Sequence, residues 1–194
     1  VSACSAPDPS ASTPLEPPPV YQQGYKFVLA GPVGAGKTTA LRSLSDTPPV
    51  STEMPLSDGP MGDKTTTTVA LDFAAIMLDD GTPLQLFGLP GQEHFSHMRG
   101  IILNGALGTI VLLPGDDPDI ATQCAHWLRG LGEIDPDLPL VIGLTRTDIS
   151  PHFRMDHVRE ALVGHSPPIP VLTIDARDRE QAAQLIRVLL LVAA

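Results

Sequence analysis

The chain of 194 residues is poor in several residue types, and each shortage narrows what the protein can be. Its two cysteines, Cys4 and Cys124, lie far apart and lack metal-ligand spacing, so we do not expect a disulfide framework. Lysine and arginine total 12 against 22 acidic residues, and the formal charge of −10 argues against nucleic-acid or anionic-membrane binding as the main activity. No apolar run approaches the roughly 20 residues of a membrane-spanning helix. We therefore expect a soluble protein in a reducing cytoplasm.

Hydrophobic residues and prolines are, by contrast, plentiful. Hydrophobic residues make up 42% of the chain, which leaves room for the core of one α/β domain. Six of the 21 prolines lie in residues 1–24, together with serines, alanines and only two charged residues, and this stretch has no helical or strand periodicity. The composition predicts that residues 1–24 form a disordered proline-rich tail and that residues 25–194 form the folded domain.

Strand-like and helix-like stretches alternate from residue 25 onward. A turn at 79–82 makes the second and third strands an antiparallel hairpin. This alternation predicts a three-layer α/β fold, in which five helices cover a six-stranded, mostly parallel sheet. The predicted strands are 25–30, 69–78, 84–88, 107–113, 140–145 and 171–175. The predicted helices are 38–45, 95–103, 119–131, 156–163 and 179–191.

A glycine-rich segment that begins at Gly31 reads Gly-Pro-Val-Gly-Ala-Gly-Lys-Thr-Thr and matches the Gly-x-x-x-x-Gly-Lys-Thr phosphate-binding loop. It lies between a predicted strand and a predicted helix, as that loop requires. In such a loop the backbone N–H groups surround the phosphates, Lys37 reaches the terminal phosphates, and the Thr38 hydroxyl binds Mg²⁺. The segment predicts a nucleotide-binding P-loop protein with Mg²⁺ as cofactor. The predicted phosphate-binding residues in this loop are Gly31, Val33, Gly34, Ala35, Gly36, Lys37, Thr38 and Thr39.

The order of the predicted elements resembles the small-GTPase fold. This resemblance implies that a threonine just before the second strand contacts Mg²⁺ and the γ-phosphate. The run Lys-Thr-Thr-Thr-Thr, which ends at Thr68, lies at that place. Thr68 fits the family pattern best, and Thr67 could serve after a shift of one residue. The alternative is a threonine-rich edge strand without this role.

The third predicted strand ends in Leu-Phe-Gly-Leu-Pro-Gly-Gln, which resembles the Asp-x-x-Gly-Gln element of the second GTPase switch. The resemblance implies that the N–H of Gly91 binds the γ-phosphate and that Gln92 orients the attacking water. Gln92 and Lys37 are thus the candidate catalytic residues. Gly88 stands where the family has an aspartate that holds Mg²⁺. Either the metal binds more weakly, or Asp72 on the neighbouring strand takes that role instead of being a solvated strand residue.

The fifth predicted strand is followed by Thr-Arg-Thr-Asp, which resembles the Asn/Thr-Lys-x-Asp element that reads guanine. The carboxylate of Asp148 can accept hydrogen bonds from N1 and the 2-amino group of guanine, whereas adenine lacks this donor pattern. Arg146 replaces the usual lysine, whose stem packs on the base. After the sixth strand, Ala176 lies where a backbone N–H contacts the guanine oxygen. The predicted base-binding residues are Thr145, Arg146, Asp148 and Ala176, and the alternative is that Asp148 only caps the following helix.

The Pro-Gly-Gln form of the switch, after a Thr-x-Ala-x-Asp-Phe strand, resembles bacterial small GTPases of the MglA-like (gliding-polarity) and conservon groups. Those groups also lack the switch aspartate. The resemblance therefore implies a molecular switch that binds GTP and hydrolyses it to GDP, with a roadblock-type regulator or other GTPase-activating protein, and an effector, as partners.

Val33 occupies a loop position where many Ras-like proteins keep glycine so that an arginine can approach the γ-phosphate. Its branched side chain should crowd that route. We therefore expect slow hydrolysis, accelerated by a partner that repositions Gln92. Arg99 is expected to be a solvated helix residue and not a catalytic arginine in cis.

Two other functions stay open at the level of sequence. The first is an ATP-using P-loop ATPase or kinase, against which stand the lack of an arginine-rich lid segment and the fit of Asp148 and Ala176 to guanine. The second is a scaffold that keeps its nucleotide without hydrolysing it, which Gly88 and Val33 suggest.

Overall fold

The computed structural model describes residues 24–45, 50–54, 69–78 and 81–194, which build a mostly parallel sheet of seven strands with helices on both faces. The strands are β1 (Tyr25–Ala30), β2 (Val50–Met54), β3 (Val69–Met77), β4 (Pro83–Gly88), β5 (Gly108–Pro114), β6 (Leu140–Thr145) and β7 (Val171–Thr173). The α-helices are α1 (Lys37–Leu44), α2 (Arg99–Leu103), α3 (Ile120–Gly132), α4 (Met155–Ala161) and α5 (Arg179–Ala193), and a 3₁₀-helix covers Glu93–Met98.

The strand order is β2-β3-β4-β1-β5-β6-β7, which places β1 in the middle of the sheet. β1 pairs in parallel with both β4 and β5. β3 runs antiparallel to β2 and to β4, and this register sets Asp72 opposite Gly88. In sheets of this kind ligands bind at the carboxyl ends of the parallel strands, where the strand order reverses. The topology therefore points to the end of β1.

The core consists of two apolar layers, one on each face of the sheet. Side chains alternate along a strand, so Phe27 belongs to the layer under α1 and α5, while Val28 belongs to the layer under α2, α3 and α4. Strand β5, next to β1, is buried along its whole length because helices cover both of its faces. The apolar stripes of α3 and α5 point into these layers, as their spacing of three and four residues predicts.

The predicted α/β fold is confirmed, with one more strand than the six expected. The additional strand, β2, reads Val-Ser-Thr-Glu-Met and lies at the edge of the described sheet, where it pairs only with β3. A mostly polar edge strand lacks the apolar pattern that reveals a central strand. Its backbone hydrogen bonds to β3 define it, and the sequence does not display them.

The predicted tail, residues 1–24, lies outside the described residues except for Gly24, so its disorder stays a prediction. Half of the predicted hairpin turn, residues 79 and 80, also lies outside them. The helices described in the structure include none that is both long and apolar enough to cross a membrane.

Candidate functional site

The site lies where the topology places it, at the carboxyl ends of β1, β5, β6 and β7. A cavity of about 270 Å³ opens there. Its wall combines the glycine-rich loop after β1 with the segments that follow β6 and β7. The residues that line it are Gly34, Gly36, Thr39, Thr145, Arg146, Asp148, Ile149, Asp175, Ala176 and Arg177.

The glycine-rich loop joins β1 to α1 and has the backbone of an anion-binding loop. Gly31, Gly34 and Gly36 all adopt positive φ angles, of 133°, 81° and 94°, which side chains with a Cβ rarely adopt. At Gly31 an added Cβ would also lie 2.1 Å from the carbonyl oxygen of Leu112. Successive N–H groups of such a loop, at the positive end of a helix, attract phosphate.

Lys37 begins α1 and bends back over the loop. Its ammonium Nζ donates hydrogen bonds to the carbonyl oxygens of Gly31 and Pro32, both at 2.8 Å. Burial lowers the pKa of Lys37 to about 8, and the nearby charge of Asp72 opposes part of this shift. Burial removes part of the hydration of the Lys37 ammonium. An anion that enters the loop would compensate for this loss and stabilise the charged form of Lys37. Lys37 therefore lies where its predicted role requires a cation.

The Thr38 hydroxyl donates a hydrogen bond to the Asp72 carboxylate on β3. Asp72 is half-buried, so it is not simply a solvated strand residue. A Cβ added to Gly88 would lie 3.2 Å from both Asp72 Cβ and Leu41 Cδ1, so Asp72 takes the space that a side chain at Gly88 would need. A hydroxyl and a carboxylate are the hard oxygen donors that Mg²⁺ prefers, and this pair fits the ion. Thr67 and Thr68 lie outside the described residues.

Gly91 lies directly against the glycine-rich loop. A Cβ added to it would be 2.6 Å from the backbone nitrogen of Val33 and 3.0 Å from Lys37 Nζ. Gln92 follows at the start of the 3₁₀-helix and is exposed. Val33 itself is 66% exposed. The structure thus brings the segment that carries Gln92 to the phosphate loop.

The segments after β6 and β7 pack on the other side of the same loop. The Thr145 hydroxyl donates to the carbonyl oxygen of Ala35 at 3.1 Å. A Cβ added to Gly36 would be 3.2 Å from Ala176 Cβ, and the Ser43 hydroxyl donates to the carbonyl oxygen of Ala176 at 2.9 Å. The predicted phosphate and base subsites are therefore continuous.

Ala176 lines the cavity, and the amides of its two chain neighbours are bonded to side chains of the same turn. The N–H of Asp175 donates to Gln181 Oε1 at 3.0 Å, and the N–H of Arg177 donates to Asp175 Oδ1 at 2.9 Å. The N–H of Ala176, between them, has no partner among the described residues. The predicted contact of this N–H with the guanine oxygen stays a prediction.

Asp148 is exposed in the cavity and does not cap a helix. The N-cap residue of α4 is Arg154, six positions further on. The alternative that Asp148 merely caps the following helix is therefore wrong, and its carboxylate remains available to a ligand.

Sequence reasoning missed two ion pairs at the cavity. Arg146 Nη2 lies 2.9 Å from Asp116 Oδ1, and Arg177 Nη2 lies 2.7 Å from Asp175 Oδ2. Asp116 follows β5 in the chain, and only the parallel pairing of β5 with β6 brings it beside Arg146. A local motif cannot reveal such a contact, although the acidic run after β5 was visible.

The expectation that Arg99 is solvated is wrong. Arg99 is only 5% exposed, and its guanidinium lies 4.3 Å from the ring centroid of Trp127 on α3. This stacking holds the start of α2 in the core. Arg99 is therefore a packing residue of the core.

No family model matches the chain. The chain is 24% identical to the Ras-related protein RabC of Dictyostelium discoideum over 123 residues, which are 61% of this chain and 57% of that protein, so it matches less than two thirds of the relative's length. Among solved structures, the G domain of the T. maritima FeoB iron transporter aligns with a TM-score of 0.64 at 20% identity, covering 89% of this chain and 100% of that one. The chain has the P-loop fold of small GTPases.

Proposed function

We propose that this protein is a molecular switch that binds GTP with Mg²⁺, hydrolyses it slowly to GDP, and signals through protein partners in the cytoplasm. The observation that carries the proposal is the meeting of three segments around one loop. Gly91 and Gln92 lie on one side of the glycine-rich loop, and Asp148 and Ala176 lie on the other. A nucleotide whose phosphates lie on the loop would then contact the segment of Gly91 and Gln92 with its phosphates and the cavity of Asp148 and Ala176 with its base.

On the phosphate side, the loop amides and Lys37 bind the phosphate oxygens. Thr38 and Asp72 would hold Mg²⁺, which when bound neutralises phosphate charge. Lys37 donates to the carbonyl oxygens of Gly31 and Pro32, and Thr38 donates to Asp72, which places both side chains at the loop.

On the base side, Asp148 accepts two hydrogen bonds from guanine, and the Ala176 N–H donates one to its oxygen. Adenine offers neither the donor pair nor the oxygen, so its binding would leave both groups unpaired. An unpaired polar group in a desolvated pocket typically costs about 1–3 kcal/mol. Selectivity for guanine is therefore expected.

Hydrolysis depends on Gln92, which orients the attacking water. Its side chain is exposed and Val33 projects from the loop beside it. A side chain free to rotate is a poor positioning group, so turnover without a partner is slow. A roadblock-type regulator or another activating protein would accelerate it by fixing Gln92, and not by inserting an arginine past Val33.

The test is a titration of the full chain with fluorescent GTP and ATP analogues, with and without Mg²⁺, while phosphate release is followed in the same samples. We expect selective, Mg²⁺-dependent GTP binding with slow release, and loss of binding in Lys37→Ala but not in Arg129→Ala, an exposed site on α3. Equal or tighter ATP binding would assign the chain to the ATPases or kinases. Tight GTP binding without release would support the scaffold, and equal rates for Gln92→Ala and wild type would remove Gln92 from the mechanism.

A further inference from the structure

An apolar groove of about 590 Å³ lies between α5 and the end of β3, on the face of the sheet that α1 covers. Met77, at the end of β3, is 60% exposed at the edge of this groove. Four other apolar side chains that line it are only partly buried, namely Ile76, Leu78, Ala183 and Leu190. The described residues therefore leave apolar surface open in the groove, far from the nucleotide cavity.

The rim of the groove on α5 is charged. It carries Arg179, Glu180 and Arg187, and Arg187 Nη1 lies 2.5 Å from Glu180 Oε1. Two cations against one carboxylate give this rim a positive charge, although the formal charge of the chain is −10. A segment that fits the groove should therefore combine apolar side chains with a negative charge.

The chain enters the sheet next to this groove. Gly24, the residue before β1, lies against Pro83 at the start of β4, because a Cβ added to Gly24 would be 2.5 Å from the carbonyl oxygen of Pro83. Pro83 pairs with Met77 of β3. Since neighbouring strands lie about 4.8 Å apart, Gly24 and Met77 are separated by roughly 10 Å. About three extended residues span that distance, and residues 1–23 precede Gly24.

We propose that residues 14–23, Pro-Leu-Glu-Pro-Pro-Pro-Val-Tyr-Gln-Gln, bind in this groove of their own chain. Leu15, Val20 and Tyr21 supply the apolar side chains, and Glu16 supplies the negative charge that the rim attracts. Residues 1–23 contain no lysine or arginine that the rim would repel. The four prolines of the segment have a fixed φ angle, so binding costs it less conformational entropy than it costs an ordinary segment.

This docking goes beyond the proposed function, since it requires no nucleotide. It also narrows the predicted disorder of the tail to residues 1–13. The groove and the start of the chain lie on the same side of β1, so the segment reaches the groove without crossing the sheet.

The experiment measures how fast residue 20 forms a disulfide with two sites at similar distance from Gly24. Both cysteine pairs are made in the full chain with Cys4→Ser, so that the buried Cys124 is the only other thiol. The test pair is Val20→Cys with Met77→Cys, at the groove. Slow oxidation is followed by electrophoresis, which separates disulfides within a chain from disulfides between chains.

The control pair is Val20→Cys with Leu107→Cys. Leu107 is 44% exposed, and its N–H donates to the carbonyl oxygen of Lys26 at 2.8 Å, on the side of β1 away from the groove. A tail that does not dock would meet this site at least as often as it meets Met77. Docking raises the effective concentration of residue 20 at the groove, so the test pair should form at least about ten times faster than the control pair.

Filling the groove provides a second measurement. Ala183→Trp, added to the test pair, places a large side chain in the groove and should slow the disulfide to the rate of the control pair. Gln184→Trp is the matched variant, because Gln184 is the next residue of α5 and is exposed to solvent. It should leave the rate unchanged, and circular dichroism checks that both variants are folded.

Three results would overturn the proposal. Equal rates for the two pairs, or a faster control pair, would show that the tail does not reside in the groove. A rate at Met77 that Ala183→Trp leaves unchanged would show that the tail lies near the groove but outside it. Disulfides that form mainly between chains would assign the groove to a second copy of this protein.

Discussion

Under the proposed function, Gly91 senses the length of the phosphate chain. It touches the phosphate loop so closely that no side chain fits between the two backbones, and its predicted partner is the γ-phosphate, which GDP lacks. A hydrogen bond to a charged group is worth about 1.5–3 kcal/mol. Under the proposed function, the effect of Gly91 is therefore confined to the triphosphate state.

Substitution of Gly91 by alanine tests this selectivity. The added Cβ would lie 2.7 Å or less from the backbone atoms Pro32 C and Val33 N, so the switch segment has to move away from the loop. We expect GTP to bind about 10- to 100-fold more weakly and GDP to bind within twofold of wild type. Gly100→Ala, where an added Cβ meets nothing within 4 Å, is the control. An equal loss for both nucleotides would mean that the substitution distorts the loop itself.

At the scale of elements, helices and strands with a periodic apolar face can be predicted from the sequence. Contacts that depend on which strands pair cannot. The stripe of α3 and the run of β5 reveal themselves through apolar spacing, because each buries a periodic face. β2 has no such face, and Asp116 reaches Arg146 only through the register of β5 and β6. In the candidate site, the motifs predict the glycine-rich loop and Asp148 as binding residues, and these roles stay predictions. The ion pairs and the contact between Asp72 and Thr38 could not be predicted, because they form only when the sheet is assembled.

Arg99, the first residue of α2, packs on Trp127 in the core. Its replacement by lysine tests whether this contact stabilises the fold. Lysine keeps the charge but not the plane that stacks on Trp127. We expect the free energy of unfolding to fall by about 1–2 kcal/mol, the range for a desolvated cation–π contact, while GTP affinity changes by less than twofold. Circular dichroism in a urea titration measures the loss without using Trp127 as the reporter. Arg129→Lys, on the exposed side of α3, should match wild type, and an equal stability of Arg99→Lys would show that the stacking is not stabilising.

At the scale of the whole molecule, Cys124 reports whether the two core layers and the nucleotide site unfold as one unit. Its thiol is fully buried against the sheet, and burial raises its pKa to about 11. Below that pH the folded protein holds a neutral, inaccessible thiol, whereas the unfolded chain exposes a thiol that ionises near pH 8.5 and reacts. Alkylation at pH 8 therefore requires unfolding.

This requirement predicts that nucleotide protects Cys124, although the thiol lies in the core layer under α3. In a Cys4→Ser variant, which leaves one thiol, GTP with Mg²⁺ at 100 times its dissociation constant should slow alkylation about 100-fold, because binding stabilises only the folded state. ATP at the same concentration should protect much less if the pocket selects guanine. An alkylation rate that ignores GTP would show that α3 opens locally without disturbing the site, and that the domain is not one cooperative unit. Protection by GTP would show that Cys124 becomes accessible only when the whole domain unfolds, so that ligand binding at the ends of the strands also stabilises the core layer under α3.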